Sequence, residues 1–476
     1  MTPDEFRRWG HAIVDWIADY RRRAPSLPVL PAVEPGALAA ALPASAPENG
    51  EPFENVLADL DRLVVPATTH WQHPGFFAFF PSNGDLASVL GDFVSTGLGV
   101  VGLSWQACPS LTEIEEVATR WLRDMMGLSA GWSGVIADTA STATLQALLC
   151  AREKTTGYSL ARGGLAGEAP LSVYCSEQSH SSVDKAALLA GFGRAHLRKV
   201  PVDAAHAMLP DALEAAIEAD LAAGIRPCAV VATSGTTAAT AFDPLAAIAR
   251  VARAHGLWIH VDAAMAGPGM ILPELRPLWE GVEAADSLVV NPHKWLGVSC
   301  DYSVYYVRDP EHLIRVMSTN PSYLRSAVDE KATNYRDWGI PLGRRFRALK
   351  FWFLVRSEGV EGLRRRLRRD LENARWLETE IRKRPGWRVV SPVTLQTVCL
   401  RHEPPGVAGE ALDRHTLAWA DAVNRSGEAF VTPAILDGRW MVRVSIGNLA
   451  TEREHVARLW NRMTAEAEGA AAPKVD

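Results

Sequence analysis

The stretch Ser287-Leu288-Val289-Val290 runs directly into Asn291-Pro292-His293-Lys294-Trp295. A short apolar run that ends in an amide, an imidazole and an amine is typical of a buried strand that leads into a ligand site. An amine held there, between an apolar strand and Trp295, is partly desolvated, which favours the neutral form that attacks a carbonyl carbon. Most lysines are surface charges instead, but the apolar neighbours of Lys294 weaken that interpretation.

Similar strands are indicated on both sides of this stretch. From about Gly84 to Leu349, short apolar and β-branched runs alternate with helical patterns. This alternation predicts an α/β fold with a mainly parallel sheet covered by helices. The predicted strands are Gly134–Ala137, Ser172–Cys175, Ala229–Ala232, Trp258–Val261, Ser287–Val290 and Val304–Val307.

The C-terminal part of the chain has a different, α+β pattern. A long helix is predicted from Gly343 to about Arg384. The strand-like runs after it are Arg388–Val390, Thr397–Arg401, Ala429–Val431 and Trp440–Ile446. Asp437-Gly438 separates the last two runs and predicts a hairpin turn. We expect an N-terminal helical segment over residues 1–84, a large α/β domain over 85–350 and a small α+β domain over 351–476.

The first segment carries an apolar stripe at helical spacing. Its members are Phe6, Trp9, Ile13, Trp16, Ile17 and Tyr20. Packing on the chain's own body and clasping of a partner subunit explain such a stripe equally well. A second helical pattern carries the arginines Arg364, Arg365, Arg366, Arg368 and Arg369. Acidic residues lie beside them, so we interpret this run as a solvated helix face and not as a polyanion site.

Composition excludes several classes of protein. The chain has 476 residues, of which 48% are hydrophobic and 22% charged, as in a folded globular protein. Its net charge of -6 gives no reason to expect nucleic acid or an anionic membrane as partner. The six cysteines are scattered without metal-like spacing, so we expect reduced thiols and no metal. The start of the chain lacks the pattern of a secretory signal, and the cytoplasm is the expected compartment.

Further polar residues follow the predicted strands. Thr139-Ala140-Ser141-Thr142-Ala143-Thr144 begins a helical pattern and suits either a phosphate or ordinary N-capping. Asp262 ends an apolar strand, where a carboxylate either meets a cation or caps the next turn. His180 follows another predicted strand and is either a flat ring that stacks on a ligand or a structural histidine. The turn before Thr237 has small side chains, which allow close approach of a ligand.

The order and spacing of these motifs resemble the group II decarboxylases that use pyridoxal 5′-phosphate, specifically the aromatic-L-amino-acid decarboxylase family. The resemblance covers nearly the whole chain. It rests on His73-Pro74-Gly75-Phe76-Phe77, Gly102-Leu103-Ser104-Trp105, Thr139 to Thr144, His180-Ser181-Ser182, His260 to Ala264, Asn291 to Trp295 and Pro341 to Arg347. It implies the type I fold of aspartate aminotransferase, with a mainly parallel seven-stranded sheet. It also implies a homodimer with active sites at the subunit interface.

The resemblance also assigns roles to residues. Lys294 is expected to form the Schiff base, Asp262 to pair with the pyridine nitrogen and His180 to stack on the ring, while Ala264 leaves room for that ring. The other expected cofactor-binding positions are Ala140, Ser141, Asn291 and His293 on the phosphate side, and Thr237 and Asp243 near the ring and the lysine. The expected substrate wall is Trp71, Phe79, Phe80, Pro81 and Gly343, with Leu103 contributed across the dimer. Core packing is the alternative for this aromatic cluster.

The expected reaction is decarboxylation of an aromatic amino acid. Between Val316 and Trp338 a long polar stretch predicts an active-site lid, and Tyr323 falls where the family places its loop tyrosine, the expected donor of a proton to Cα. Aldehyde synthases of the same family typically alter that tyrosine or the stacking histidine, whereas this chain keeps both. Leu103 and Met265 depart from the Phe and Tyr of animal members, which leaves tryptophan, tyrosine, DOPA and phenylalanine open as substrates.

Two alternatives to an amine-forming enzyme remain. An aldehyde synthase would follow decarboxylation with oxidative deamination, consuming O2. A dimer that binds pyridoxal phosphate without catalysis would turn over no amino acid.

Overall fold

The structure is a computed structural model that describes residues 1–319 and 331–471. Its backbone groups into two compact units. One comprises Met1–Pro81, Asn373–Val390 and Val398–Asp476, and the other comprises Ser82–Glu372 and Ser391–Thr397. The division into an N-terminal segment, a large domain and a small domain stays a prediction.

A seven-stranded sheet lies at the centre of the unit built on Ser82–Glu372. Its strands are β1 (Ser133–Ala137), β2 (Leu171–Ser176), β3 (Leu197–Val200), β4 (Arg226–Thr233), β5 (Trp258–Ala263), β6 (Ser287–Val290) and β7 (Ser303–Val307). Their order across the sheet is β1-β7-β6-β5-β4-β2-β3. Only β7 runs against its neighbours, β1 and β6, and the other pairings are parallel. The mainly parallel sheet of type I enzymes is therefore confirmed.

Helices supply the remaining layers. They are α1 (Pro3–Arg23), α2 (Ala37–Ala41), α3 (Phe53–Asp59), α4 (Leu86–Leu98), α5 (Pro109–Met126), α6 (Ala140–Thr156), α7 (Ser181–Leu189), α8 (Pro210–Ala222), α9 (Leu245–Ala254), α10 (Pro310–Met317), α11 (Ala348–Lys383), α12 (Gly409–Arg425) and α13 (Arg453–Ala471). The predicted long helix corresponds to α11, which is interrupted at Gly359, where φ is 65° and ψ is 163°. Among the helices of the described ranges, none combines the length and the apolar character that crossing a membrane requires.

The core of the sheet unit is built from small and β-branched side chains. All six predicted strands are present, and β2, β5, β6 and β7 are buried along their whole length. The face of α6 that packs on the sheet is rich in alanine, with Ala143, Ala147 and Ala151 fully buried. Small side chains let a helix approach a sheet closely, so the strand ends are held on a rigid base.

A four-stranded sheet has the order β10-β11-β9-β8. Its strands are β8 (Trp387–Val389), β9 (Thr397–His402), β10 (Thr432–Leu436) and β11 (Arg439–Ser445). The predicted turn is confirmed, since Asp437 and Gly438 both have positive φ, as a two-residue hairpin turn requires. The predicted strand Ala429–Val431 is wrong in position. The observed strand, β10, begins at Thr432 and includes Pro433. Proline has no N–H to donate, and an edge strand tolerates it because one side of an edge strand makes no hydrogen bonds within the sheet.

Candidate active site

The polar residues singled out in the sequence follow strands that end at one edge of the seven-stranded sheet. Strands β2, β4, β5 and β6 are parallel, so their carboxyl ends point the same way. In the sheet register Asp262 of β5 lies between Thr233 of β4 and Val289 of β6. His180 follows β2 by four residues and Lys294 follows β6 by four residues. The edge therefore brings together an imidazole, a carboxylate and an amine, as open α/β sheets do at ligand sites.

Lys294 lies in a loop that is tied to the neighbouring strand. Its backbone N–H donates to the carbonyl of Asn291 at 2.9 Å, and the N–H of Asn291 donates to the carbonyl of Ala264 at 2.9 Å. The side-chain amide of Asn83 donates to the carbonyl of Lys294 at 3.0 Å. The lysine itself is half-buried.

Asp262 is a buried carboxylate at the end of β5, with 5% of its surface exposed. Its Oδ1 accepts a hydrogen bond from the N–H of Ala264 at 3.0 Å, and its backbone carbonyl accepts from Ser234 at 2.8 Å. The carboxylate thus braces the turn that follows it, which was the alternative considered for this residue. Bracing uses one backbone donor, and a buried carboxylate is also a strong partner for a protonated ring nitrogen.

His180 caps helix α7. Its Nδ1 accepts a hydrogen bond from the N–H of Ser182 at 3.1 Å and lies 2.9 Å from the hydroxyl of Ser182. Burial lowers the pKa of His180, Asp262 raises it and the charge of Lys294 lowers it further. Asp262 and Lys294 therefore both lie within electrostatic reach of His180. The residue is nevertheless exposed, so a fixed and neutral ring is available for stacking.

The start of α6 offers backbone donors to an anion. Thr139 caps the helix by accepting from the N–H of Thr142 at 3.3 Å, while Ala140 and Ser141 occupy the first turn, whose N–H groups have no partner within a helix. The hydroxyl of Thr144 is turned away, because it donates to the carbonyl of Ala140 at 2.9 Å. Fewer hydroxyls therefore face an anion here than the sequence suggested.

Asn291 and His293 belong to the same loop as Lys294. Oδ1 of Asn291 is buried and has no hydrogen-bond partner among the described residues. Nδ1 of His293 lies 2.8 Å from the carbonyl of Tyr302 and 3.1 Å from its N–H. Burial lowers the pKa of His293 to about 4, and the charge of Lys294 lowers it as well. His293 is therefore a neutral ring near neutral pH.

Two expected cofactor positions differ in character. Thr237 is exposed, whereas Asp243 is only 2% exposed. The Asp243 carboxylate accepts from the N–H groups of Met208 at 2.8 Å and Thr233 at 2.7 Å. Burial raises the pKa of Asp243 to about 6 in spite of these bonds. Asp243 thus fixes the end of β4, next to Asp262 in the sheet.

Four residues of the expected substrate wall lie in the unit that contains Met1–Pro81. Trp71 stacks on Phe76 and Phe79, with ring centroids 4.4 Å and 5.8 Å away. Phe79 has a positive φ of 51° and keeps 47% of its surface exposed. Phe80 and Pro81 are buried, so core packing describes only part of this cluster. Strained backbone at an exposed aromatic residue is a feature of binding sites.

The remaining expected site residues are less informative. Leu103 is half-buried and Gly343 is exposed, both in the sheet unit. A side chain at Gly343 would lie in ordinary contact with Val101, at 3.4 Å. Tyr323 lies outside the described residues, as does the middle of the expected lid.

Sequence reasoning missed residues that act on the Lys294 loop from a distance. Asn83 lies 211 positions before Lys294, and Arg366 contacts the loop from helix α11. The interpretation of the arginine run as a solvated face is therefore wrong for Arg366. A short polar stretch before α4 was the only signal for Asn83, and spacing within the chain gives no hint of such long-range bonds.

The residues present fit a phosphorylated pyridine aldehyde. The N–H groups in the first turn of α6 suit the phosphate side, the buried carboxylate of Asp262 suits a ring nitrogen that carries a proton, and Lys294 supplies an amine for an aldehyde carbon.

Comparison with known proteins agrees with this chemistry. Residues 35–403 match the model of the pyridoxal-dependent decarboxylase conserved domain. The chain is 40% identical to tyrosine decarboxylase 4 of Petroselinum crispum over 97% of this chain and 92% of that protein. It is 38% identical to phenylacetaldehyde synthase of Arabidopsis thaliana over 98% and 96% of the two chains. The crystal structure of Oryza sativa TDC with PLP and tryptamine superposes with a TM-score of 0.96 at 37% identity, covering 98% of this chain and 99% of that one. The chain therefore belongs to the pyridoxal-dependent decarboxylase family, as a carboxy-lyase whose cofactor is pyridoxal 5′-phosphate.

Proposed function

We propose that this chain converts an aromatic L-amino acid, namely tryptophan, tyrosine, DOPA or phenylalanine, into the arylalkylamine and CO2. The observation that carries the proposal is the placement of His180, Asp262 and Lys294 at the ends of strands that meet at one sheet edge, with both charged groups within electrostatic reach of His180. Relatives named for the decarboxylation of tyrosine and of tryptophan support an aromatic substrate.

Each site residue has a distinct task in this proposal. The amine of Lys294 binds the aldehyde carbon of the cofactor, and the carboxylate of Asp262 keeps the ring nitrogen protonated. The His180 ring would stack on the cofactor ring, and Ala264 would leave space beside it. The phosphate is held by the first turn of α6 with Ala140 and Ser141, and by Asn291 and His293. When bound, pyridoxal phosphate accepts the electron pair released as the bond between Cα and the carboxylate breaks.

The protein must then return one proton to Cα to form the amine. We assign this proton to the phenol of Tyr323, on the resemblance of its position to the family's loop tyrosine. A phenol that donates once and is then recharged from solvent balances the reaction, because CO2 leaves and one proton enters. In Tyr323→Phe we expect cofactor binding to persist and the product to shift toward aldehyde.

An aromatic side chain suits the cluster around Phe79. Trp71 and Phe430 flank Phe79, in a stacked and an edge-on arrangement. The exposed part of the Phe79 ring is a surface on which an indole or a phenol stacks favourably. No acidic or basic side chain among the expected wall residues would bind a charged substrate side chain.

A homodimer is also part of the proposal. Of the apolar stripe on α1, Phe6 is 53% exposed, whereas the other members are half-buried. Helix α4 of the sheet unit exposes further large apolar side chains, among them Leu86 (47%), Leu90 (48%), Val94 (41%) and Leu98 (55%). An apolar helix face of this kind is typical of a subunit interface. A second copy of the chain is the partner we propose for it.

The deciding experiment is a substrate panel on the purified protein loaded with pyridoxal phosphate. CO2, amine, aldehyde and O2 uptake are measured for all amino acids. We expect equal amounts of CO2 and arylalkylamine from an aromatic substrate, without O2 uptake. Aldehyde formation with O2 uptake would identify an aldehyde synthase, an activity for which a relative of similar identity is named. Absorbance of bound cofactor without turnover of any amino acid would contradict catalysis altogether.

A further inference from the structure

The loop that carries Lys294 has an unusual set of backbone contacts. Every carbonyl from residue 293 to residue 297 accepts a hydrogen bond from a residue far away in the sequence. The Ser82 hydroxyl donates to the carbonyl of His293 at 3.4 Å, and the Asn83 amide donates to that of Lys294 at 3.0 Å. Arg366 donates to the carbonyls of Trp295, at 3.2 Å, and Leu296. The N–H of Asp85 donates to the carbonyl of Gly297 at 2.9 Å. A loop whose successive carbonyls are all paired has little freedom to move the lysine.

Arg366 of α11 supplies two of these bonds. Its Nη2 donates to the carbonyls of both Trp295 and Leu296, the two residues that follow Lys294. Burial lowers the pKa of Arg366, while the charge of Asp370 raises it. Burying a guanidinium is costly unless its hydrogen bonds are made. The loop carbonyls therefore fix the position of the Arg366 side chain, and the guanidinium in turn fixes the loop.

Asp370 holds the same loop through a side chain. Its Oδ2 accepts from the indole Nε1 of Trp295 at 3.0 Å, and the residue is fully buried. Burial raises the pKa of Asp370 to about 7, although Arg369 and Arg366 lower it. One turn of helix α11 therefore contacts both the backbone and the indole of Trp295, directly beside Lys294.

The geometry of Gly297 depends on the same arginine. Gly297 has a φ of 87°, and a Cβ at this position would lie 2.9 Å from Nη1 of Arg366. The loop can therefore close against the guanidinium only with glycine at this position.

The neighbouring arginines of the run have other partners. Arg364 donates to the carbonyl of Ile271 at 2.8 Å, Arg368 pairs with Glu274 at 2.7 Å, and Arg365 is exposed. Among these residues of the run, Arg366 is the one with bonds to the Lys294 loop, which makes Arg365 a matched control one position away.

We infer that Arg366 and Asp370 are positioning residues that fix the direction in which the amine of Lys294 points toward the cofactor. This inference rests on the proposed role of Lys294 in that function. Neither residue is placed against substrate or cofactor. Their effect passes through Trp295 and Leu296, whose backbone determines where the Lys294 side chain begins.

The test compares Arg366→Gln and Asp370→Asn with the control Arg365→Gln, each as the cofactor-loaded protein. In Arg366→Gln we expect kcat to fall about 10- to 100-fold, because small displacements of a reacting group are costly, with KM changed by less than about threefold. We also expect the pH midpoint of the visible absorbance of lysine-bound pyridoxal phosphate to shift. Asp370→Asn has the same shape and keeps an acceptor for the indole, so we expect a smaller change in the same direction. Arg365→Gln should match the wild type in both measurements.

Thermal unfolding separates positioning from general support of the fold. A lower melting temperature with wild-type kcat and midpoint in Arg366→Gln would overturn the inference. If that variant does not fold, wild-type kcat and midpoint in Asp370→Asn would overturn it equally. Failure of the proposed function looks different, because the wild type itself would then lack turnover. In that case the absorbance midpoint still reports on the lysine, and its shift in Arg366→Gln would support the inference.

Discussion

The buried carboxylates of Asp262, at the end of β5, and of Asp243, which bonds to the end of β4, make different hydrogen bonds. Both oxygens of Asp243 accept from backbone N–H groups, of Met208 and Thr233, whereas Asp262 accepts from Ala264 through Oδ1. Both oxygens of Asp243 are thus occupied by backbone hydrogen bonds that stabilise the fold. The contrast supports the proposal that Asp262 pairs with the cofactor ring and that Asp243 acts by holding the end of β4.

The prediction at this scale compares Asp262→Asn with Asp243→Asn. In Asp262→Asn the amide oxygen can still accept from Ala264, but a neutral side chain cannot keep a pyridine nitrogen protonated, so we expect kcat to fall about 100-fold or more. In Asp243→Asn an amide N–H group must face a backbone N–H group, which should lower the free energy of unfolding by about 1 to 3 kcal/mol. Steady-state kinetics and urea unfolding measure the two effects. A larger loss of kcat in Asp243→Asn than in Asp262→Asn would contradict the assignment.

Single residues were predictable where they sit next to a recognisable strand. Lys294, Asp262 and His180 each follow an apolar run, and the structure places them at one edge. Asn83 and Arg366 were not predictable, because their bonds to the lysine loop join segments that are distant in sequence. Thr144 belongs to the hydroxyl-rich stretch considered for a phosphate, but a hydroxyl in the first turns of a helix can bond back to the backbone, as it does here.

At the scale of elements, the buried strands were predictable, whereas one edge strand was missed in the large sheet and one was misplaced in the small sheet. The six predicted strands of the large sheet are apolar and largely buried, and they include the edge strand β1, whose last three residues are buried. The strand β3 was missed because Leu197–Val200 includes Arg198 and Lys199, which an edge position permits. The position of β10 was predicted wrongly for a similar reason, since Pro433 argues against a strand in the sequence but is tolerated in an edge strand. Sequence patterns report burial, so an edge strand that carries charged residues or proline is easily missed.

One contact between elements should make stability depend on pH. His402 of β9 and His415 of α12 lie in hydrogen-bond contact, with Nδ1 and Nε2 2.9 Å apart, and both are buried. Burial lowers the pKa of each ring, and for His402 the neighbouring His415 lowers it further. The unfolded chain therefore takes up protons near pH 6.5 while the fold resists them. The stability contributed by the pair is complete above about pH 6.5 and is lost as the pH falls through the folded pKa values.

The measurement is thermal unfolding between pH 7.5 and pH 5, for the wild type and His415→Gln. A glutamine amide can still bond to His402 but takes up no proton. We expect the melting temperature to fall with decreasing pH in both proteins and to fall less steeply in the variant. Each proton taken up on unfolding changes the free energy of unfolding by at most about 1.4 kcal/mol per pH unit. Other buried histidines shift in the same direction, so the difference between the two curves is the informative quantity. Parallel curves would contradict a role for the pair.

At the scale of the whole molecule, the fold class and the family were predictable because the motifs are spread over nearly the whole chain. The grouping of Met1–Pro81 with the C-terminal residues into one compact unit was not, since contacts between chain ends leave no periodic signal. The partner of the apolar stripe on α1 was equally open. Most of that stripe is half-buried against the same chain, as Trp9 is against Phe53, so it is the exposed face of α4 that supports the proposed homodimer.

The dimer is tested by placing a charge on one exposed face. Leu90→Glu on α4 should shift the protein toward monomer, because a carboxylate buried in an apolar interface costs several kcal/mol. Leu221→Glu on α8 replaces a leucine of similar exposure, 50% against 48%, and should leave the mass unchanged. Light scattering after size exclusion measures the mass of each variant. A wild-type mass for Leu90→Glu would argue against this interface.

The central claim is that Lys294 holds the cofactor and that decarboxylation depends on it. Its most direct measurement is the visible spectrum and the release of CO2 from the aromatic substrates, in Lys294→Ala and in the control Lys185→Ala, which changes an exposed lysine of α7. We predict that Lys294→Ala loses both the absorbance of lysine-bound pyridoxal phosphate and the release of CO2, while Lys185→Ala keeps both. An unchanged spectrum in Lys294→Ala would contradict the account.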